Sequence, residues 1–179
     1  MPELIAPTIV LRESWLAARA EWPPGAVLNG HGLRDTDDVA TAEGFAAWVE
    51  RLHKQSDESM PLPLGQVHAT HWWIVEGDTY LGAIALRHRL TEHLLRVGGH
   101  IGYGLRPSAR GRGLASWALA EVLPRARERG LDRVLLTCAD SNLASARTIE
   151  RNGGVLEDIR ETEIGLTRRY WIDLRASAD

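Results

Sequence analysis

The chain has 179 residues, 44% of them hydrophobic and 25% charged, with a formal net charge of −3. That composition suits one soluble globular domain over residues 1–179, able to bury about 70% of its unfolded surface. The near-neutral balance argues against nucleic acid as the main partner, no run reaches the roughly 20 apolar residues of a membrane span, and the single Cys138 excludes an internal disulfide and fits the cytoplasm.

The opening M-P-E-L-I-A-P lacks the basic and apolar regions of a secretory leader. Residues 8–12 (T-I-V-L-R) read as a first strand. Ser14 reads as the cap of a helix over 15–22, stopped by Pro23 and Pro24. Asn29-Gly30 marks a turn, and a second helix spans 39–54 with Phe45, Val49 and Leu52 near one face. Residues 55–66 are polar, then proline-bearing, and fit either a surface connection or a flap beside a substrate site. Residues 71–75 and 80–88 read as strands joined around Glu76-Gly77-Asp78, a hairpin signal. Residues 90–97 separate that hairpin from a third strand.

The third strand, H-I-G-Y-G-L from His100 to Leu105, puts Ile101, Tyr103 and Leu105 on one face and His100, Gly102 and Gly104 on the other. Glycine weakens a strand, so two on one face point to close approach of a ligand or of another backbone. Pro107 ends the strand. Arg110, Gly111, Arg112 and Gly113 then stand directly before an amphipathic helix. That helix runs from Leu114 to about Arg129, buries Ala118, Leu119 and Val122, and is expected to kink at Pro124. A glycine-rich turn at a helix start presents unpaired N–H groups and partial positive charge, the outline of a phosphate site. No Asp or Glu occurs from His93 to Ala120, so Arg106, Arg110 and Arg112 make the stretch locally basic.

The run fits no P-loop. It meets half of the dinucleotide pattern G-x-G-x-x-G, but residues 107–110 intervene after the strand, which leaves a dinucleotide-binding enzyme as one alternative. The pattern [RQ]-x-x-G-x-[GA] is met in full by Arg110, Gly113 and Ala115. Beyond the helix, Val134 to Ala139 is a near-continuous apolar strand, and the strand–helix–strand unit implies a right-handed crossover. Asp140, Ser141 and Asn142 offer caps for a helix to about Arg151, ended by Asn152-Gly153-Gly154. Residues 155–159 and 169–174 close the chain as two strands around 163–168.

Two motifs, R-G-R-G-L-A from Arg110 and N-L-A-S-A-R-T-I-E-R-N-G-G from Asn142, make the sequence resemble the GNAT superfamily of N-acetyltransferases over about 72–154. Within it, G-G-H-I-G-Y and the late R-Y-W are similar to a bacterial group of predicted acetyltransferases. The resemblance implies an α/β (α+β) fold of one domain: a mixed, mostly antiparallel sheet flanked by helices. It further implies a splay between the strand from His100 to Leu105 and that from Val134 to Ala139. The implied cofactor is acetyl-CoA or coenzyme A. Tyr103 and Leu105 would flank its pantetheine arm, and Arg110, Gly111, Arg112, Gly113, Leu114 and Ala115 would wrap its pyrophosphate. Asn142 and Ser145 would lie near the thiol end or the pantetheine, although Asn142 equally suits a helix cap. The implied reaction is direct acetyl transfer to a primary amine, on a small molecule or a peptide, in a ternary complex.

His100 and His88 are the candidate bases, since an unperturbed histidine pKa near 6.5 suits deprotonating an ammonium. His100 also reads as an ordinary strand-end polar residue. Where many relatives carry a tyrosine, seven residues after Asn142, stands Ile149, which has no proton to give. Cys138, Ser141 or water remain as substitutes, and a non-catalytic acyl-CoA-binding or regulatory domain remains as a second alternative. Cys138 lies in an apolar strand that disfavours its thiolate, and one cysteine builds no thiolate cluster, so no metal site is expected. Trp15, Trp22, Trp48 and Trp117 fall in helical patterns and read as core, whereas Trp72 and Trp73 point to opposite faces. Trp171 fits core packing, a homodimer interface or the acceptor pocket.

Overall fold

A hairpin sits at the centre of the fold. In the computed structural model, which describes residues 1–175, strands β2 (Ala69–Glu76) and β3 (Thr79–Arg87) pair antiparallel and turn at Gly77, whose φ of +54° suits glycine. The last four residues of the expected 1–179 domain lie outside the described residues. A short β1 (Glu3–Ile5) joins the outer side of β2, and β4 (Ile101–Leu105) joins β3, giving the order β1-β2-β3-β4. A second sheet, in the order β5-β7-β6, holds β5 (Arg133–Ala139), β6 (Val155–Thr162) and β7 (Gly165–Asp173). Every ladder in both sheets is antiparallel.

Helix α4 (Leu114–Glu128) carries the chain from β4 to β5, and α5 (Leu143–Arg151) carries it on to β6. Their apolar stripes cover one face of the sheets, where Leu119, Val122 and Ile149 meet Ile84, Leu86, Ile101 and Leu136. Pro124 stays inside α4 on its exposed side, where the clash and the lost N–H are turned to solvent. Helices α1 (Arg12–Ala20) and α2 (Ala42–Ser56) cover the other face of the first sheet with a second core built on Trp15, Phe45, Trp48 and Trp73. Ring centroids there stand 5.0–6.1 Å apart in edge and tilted contacts. Trp72, on the opposite face of β2, packs on the first core beneath Arg125. Among the described residues no helix is long and apolar enough to cross a membrane.

Several expected boundaries move. Residues 8–12 form no strand: Thr8 accepts the Val10 N–H and caps a 3-10 turn over Ile9–Leu11, so side-chain bonding wins over β propensity. Ser14 caps nothing; it lies inside α1 and accepts the Tyr80 N–H at 2.8 Å, tying the helix to β3. The second helix begins at Ala42, not 39, because Thr41 accepts the Gly44 N–H. The segment between β3 and β4 contains a short helix, α3 (Glu92–Arg96), capped by Thr91. The final turn shrinks to Glu163-Ile164, with β6 and β7 correspondingly longer.

The glycines of β4 meet another stretch of backbone. A Cβ on Gly104 would stand 2.8 Å from Asn29 O, and one on Gly30 would stand 2.6 Å from Gly102 O and 2.9 Å from Ala83 O. Residues 29–31 thus lie flat on the small-residue face of β3 and β4. Gly30 also holds φ at +82°. Gly30→Ala is therefore expected to lower stability by about 3 kcal/mol or more, combining left-handed strain with overpacking. Gly25→Ala, with a similar φ of +76° but nothing within 4 Å, should cost only about 1–2 kcal/mol. Equal losses in urea titrations of the two variants would refute the close-packing account.

Candidate functional site

Among the described residues, the two sheets are joined by backbone hydrogen bonds at one end only. His100 N–H donates to Leu135 O at 2.7 Å, Leu135 N–H donates back to His100 Nδ1 at 2.9 Å, and Gly99 bridges Leu136. Beyond this neck no ladder joins β4 to β5 among the described residues, so the strands diverge as the expected splay. From Gly102 onward the even-numbered backbone groups of β4 serve β3, as in Arg106 N–H to Leu81 O at 2.9 Å. Antiparallel alternation then turns the N–H and C=O groups of Ile101, Tyr103 and Leu105 into the gap.

The open edge leads into the glycine turn. After a 3-10 turn at Pro107–Ala109, Gly111 and Gly113 both hold φ at +76°, and a Cβ on either would meet nothing within 4 Å. Gly113 caps α4 without a side-chain bond. The N–H groups of Gly111, Arg112, Gly113, Leu114, Ala115 and Ser116 find no acceptor among the described residues. They converge with the positive end of the α4 dipole, which makes an anion cradle.

Its expected cations are only partly available. Arg106 is held by Glu21 through Nε at 2.9 Å and through Nη2, and it also donates to Tyr80 O. Ser108 adds its N–H and hydroxyl to the same carboxylate, both at 2.9 Å. Arg106 first, then Ser108, pulls the Glu21 pKa down to about 2. Arg112 forks onto Glu76 at 2.7 and 2.8 Å on the surface. Arg110 meets no carboxylate among the described residues; it stacks 4.8 Å from the centre of the Trp22 ring and reaches Leu105 O. The acids come from the ends of α1 and β2, far away in sequence, so the acid-free run from His93 to Ala120 gave no sign of them.

Across the gap, the Tyr103 hydroxyl meets Ser145 Oγ at 2.8 Å, and burial pushes the tyrosine up to about 12. Ser145 N–H donates to Asn142 Oδ1 at 3.1 Å, so Asn142 caps α5. Cys138 is buried nearby, its thiol pKa raised by desolvation. Ile149 is fully buried. Tyr103 with Ser145, then Leu105, then the stretch from Arg110 to Ala115 thus follow one another along the path of β4 and the turn after it.

The two histidines are not together. His100 lies at the neck with Nδ1 occupied, and burial, reinforced by Arg87, lowers it to about 4. His88 falls on the α4 side of the sheet, with Nε2 on Thr70 at 2.8 Å and Nδ1 against Glu58 and Arg129 at 2.7 and 2.6 Å. Burial first, then Arg129, lowers its pKa. Among the described residues no group of three or more His, Cys, Asp or Glu side chains is arranged to hold a metal ion.

Residues 26–155 match the family described as acetyltransferase (GNAT) domain. The chain belongs to the GNAT acetyltransferase family. Solved structures with the same fold include the microcin C7 self-immunity acetyltransferase MccE in complex with acetyl-CoA and AMP, at a TM-score of 0.68 and 16% identity, covering 96% of this chain and 92% of that one. The ribosomal L7/L12 α-N-protein acetyltransferase RimL, in complex with coenzyme A, gives 0.66 and 21%, covering 97% and 96%. YncA from Salmonella typhimurium, with acetyl-CoA, gives 0.61 and 14%, covering 99% and 96%. No curated protein matches the chain in sequence. As a GNAT acetyltransferase the chain takes acetyl-CoA as donor. The open cradle and the free edge of β4 fit that group: unpaired N–H donors for phosphate, and an unpaired strand edge for the amides of an extended arm.

Nothing local in the sequence marks Glu21, yet it fixes the loop that leads to the cradle. Its folded pKa of about 2, against an ordinary 4.5, means that its contribution is whole above pH 4.5 and is lost as pH falls toward 2. Glu21→Gln should therefore cost about 1–2 kcal/mol at pH 7. The gap to wild type should narrow as the pH drops below 4.5. A gap in urea-denaturation stability that does not change with pH would contradict the ion-pair account.

Proposed function

We propose that this GNAT acetyltransferase moves the acetyl group to a primary amine by direct attack in a ternary complex. The observation that carries the reading is the unpaired edge of β4 leading, through the turn at Pro107–Ala109, into the glycine cradle. On this reading Arg110, Gly111, Arg112, Gly113, Leu114 and Ala115 hold the pyrophosphate, and the backbone of Tyr103 and Leu105 holds the pantetheine arm. Asn142 orients Ser145, which pairs with Tyr103 at the inner end of the path. The relative RimL is an α-N-protein acetyltransferase, which supports an amine acceptor.

Acetyl-CoA supplies an activated thioester. The chain supplies position, which alone can account for much of such a rate, and preorganised N–H dipoles on the gap side of β4 for developing negative charge on oxygen. Tyr103 keeps its proton at neutral pH, as its raised pKa requires, and so holds an O–H in the gap where Ile149 offers none. His100 acts as a positioning residue. With Nδ1 accepting the Leu135 N–H, its own proton sits on Nε2 and no lone pair is left to serve as a base. His88 is likewise engaged on both ring nitrogens. The proton of the acceptor therefore passes to water.

Calorimetric titration of acetyl-CoA tests the reading. Gly113→Trp fills the cradle and should weaken binding by about 100-fold or more, whereas Gly113→Ala bears the same φ cost and should stay within about tenfold of wild type. Across pH 6–9, kcat/KM should rise with the pKa of the acceptor itself, without an inflection in the histidine range. Undiminished binding by Gly113→Trp, or no binding by wild type, would refute the cradle assignment.

A further inference from the structure

Arg87 ends β3 on the face opposite α4. Strand alternation sets it beside Ala85, and Ala85 pairs with His71 on β2 and with Gly102 on β4. The guanidinium is anchored at the neck, where Nη1 donates to Gly98 O at 3.2 Å and to Gly99 O at 3.0 Å. A Cβ on Gly102 would stand 4.0 Å from that nitrogen and 3.4 Å from Gly30 N, so the head group lies beside the glycine, next to the backbone of residues 29–31.

Two features mark this arginine. Arg51, Arg106, Arg168 and Arg169, buried or half-buried as it is, each meet a carboxylate, while Arg87, like the half-buried Arg19, meets none among the described residues. Its Nε and Nη2 have no hydrogen-bond partner among the described residues and are not sealed from solvent. The ionisable neighbours that feel it are His71 and His100, both held neutral near pH 7, chiefly by burial and then by Arg87 itself. Among the described residues Arg87 is thus a positive charge on the inner face of the sheet that no carboxylate meets, with its Nε–Nη2 edge unpaired, beside Ala85 and Gly102. A planar guanidinium edge of this kind matches carboxylate or phosphate oxygens in a bidentate pair.

We propose that Arg87 anchors the acceptor, and that the acceptor is an amine bearing a carboxylate or phosphate a few bonds from its nitrogen. The proposal rests on the acetyl-transfer reading above. The anion would sit on the Nε–Nη2 edge, with the amine directed past Gly102 toward the open edge of β4.

Thermal shifts in saturating coenzyme A test this with matched acceptors: free amino acids against their amides, and phosphoethanolamine against ethanolamine. The coenzyme A shift alone reports the donor site. Its absence in wild type would strike at the acetyl-transfer reading rather than at Arg87. Given that shift, anionic members of one or both pairs should stabilise wild type further, with apparent affinities about 10- to 100-fold above their neutral partners. The pair that responds tells carboxylate from phosphate. Arg87→Gln should keep the coenzyme A shift, which shows it folded, and lose the preference, while Arg87→Lys should recover part of it. The proposal is overturned if anionic and neutral members act alike, if neither binds, or if Arg87→Gln keeps the preference.

Discussion

Two hydrogen bonds at His100 hold the two sheets together at one end and leave them apart at the other. If β4 and β5 paired along their length, the N–H and C=O groups of Ile101, Tyr103 and Leu105 would be consumed in a ladder. With the strands pinned only at the neck, those groups form an edge inside the molecule, flanked by α4 and α5. An unpaired edge is ordinarily an invitation to aggregation. Here its neighbours are the helices and a second sheet, and on the proposed reading the strand it accepts is the arm of a small molecule. Burying His100 in neutral form is part of the same device: a charged imidazole could not accept the Leu135 N–H at Nδ1.

The charge arrangement follows from this geometry. The cradle draws on backbone dipoles as much as on side chains, because Arg106 is already neutralised by Glu21 and spends its charge on fixing the bend after β4. Arg112 and Glu76 pair at the surface, where such a bond is weak and easily exchanged for a better anion. Arg110, stacked on Trp22, meets no carboxylate among the described residues. The inner face at Arg87 repeats the theme with a single cation, anchored by carbonyls rather than by an acid. Fixed donors around a divided sheet thus supply the two anion positions proposed, one near each end of β4.

Much of this was legible in the sequence wherever the signal is local. Alternation from Ile101 to Leu105, the glycines at 111 and 113, the apolar run of β5 and the cap at Asn142 each act through neighbours within one turn or one strand. The hairpin at Gly77 was equally plain. Illegible were the features settled by distant partners. The β-branched run after Pro7 reads as strand until Thr8 bonds its own backbone. The glycines of β4 signal a close approach, but only the fold reveals that residues 29–31 make it. Glu21 and Arg87 have unremarkable surroundings in the chain, and their meaning lies in what α1 and β4 bring beside them. Nothing in the sequence around His100 marks the N–H from β5 aimed at its ring.

The central claim is that β4 keeps one edge unpaired for the donor, and residue-resolved amide exchange by NMR tests it most directly. On saturation with acetyl-CoA, exchange at Ile101, Tyr103 and Leu105 should slow by about tenfold or more, together with the cradle amides from Gly111 to Ser116. Gly102 and Gly104, on the side of the strand that already serves β3, should hardly change. Slowing at all five β4 positions alike, or none at the odd-numbered ones, would contradict the account.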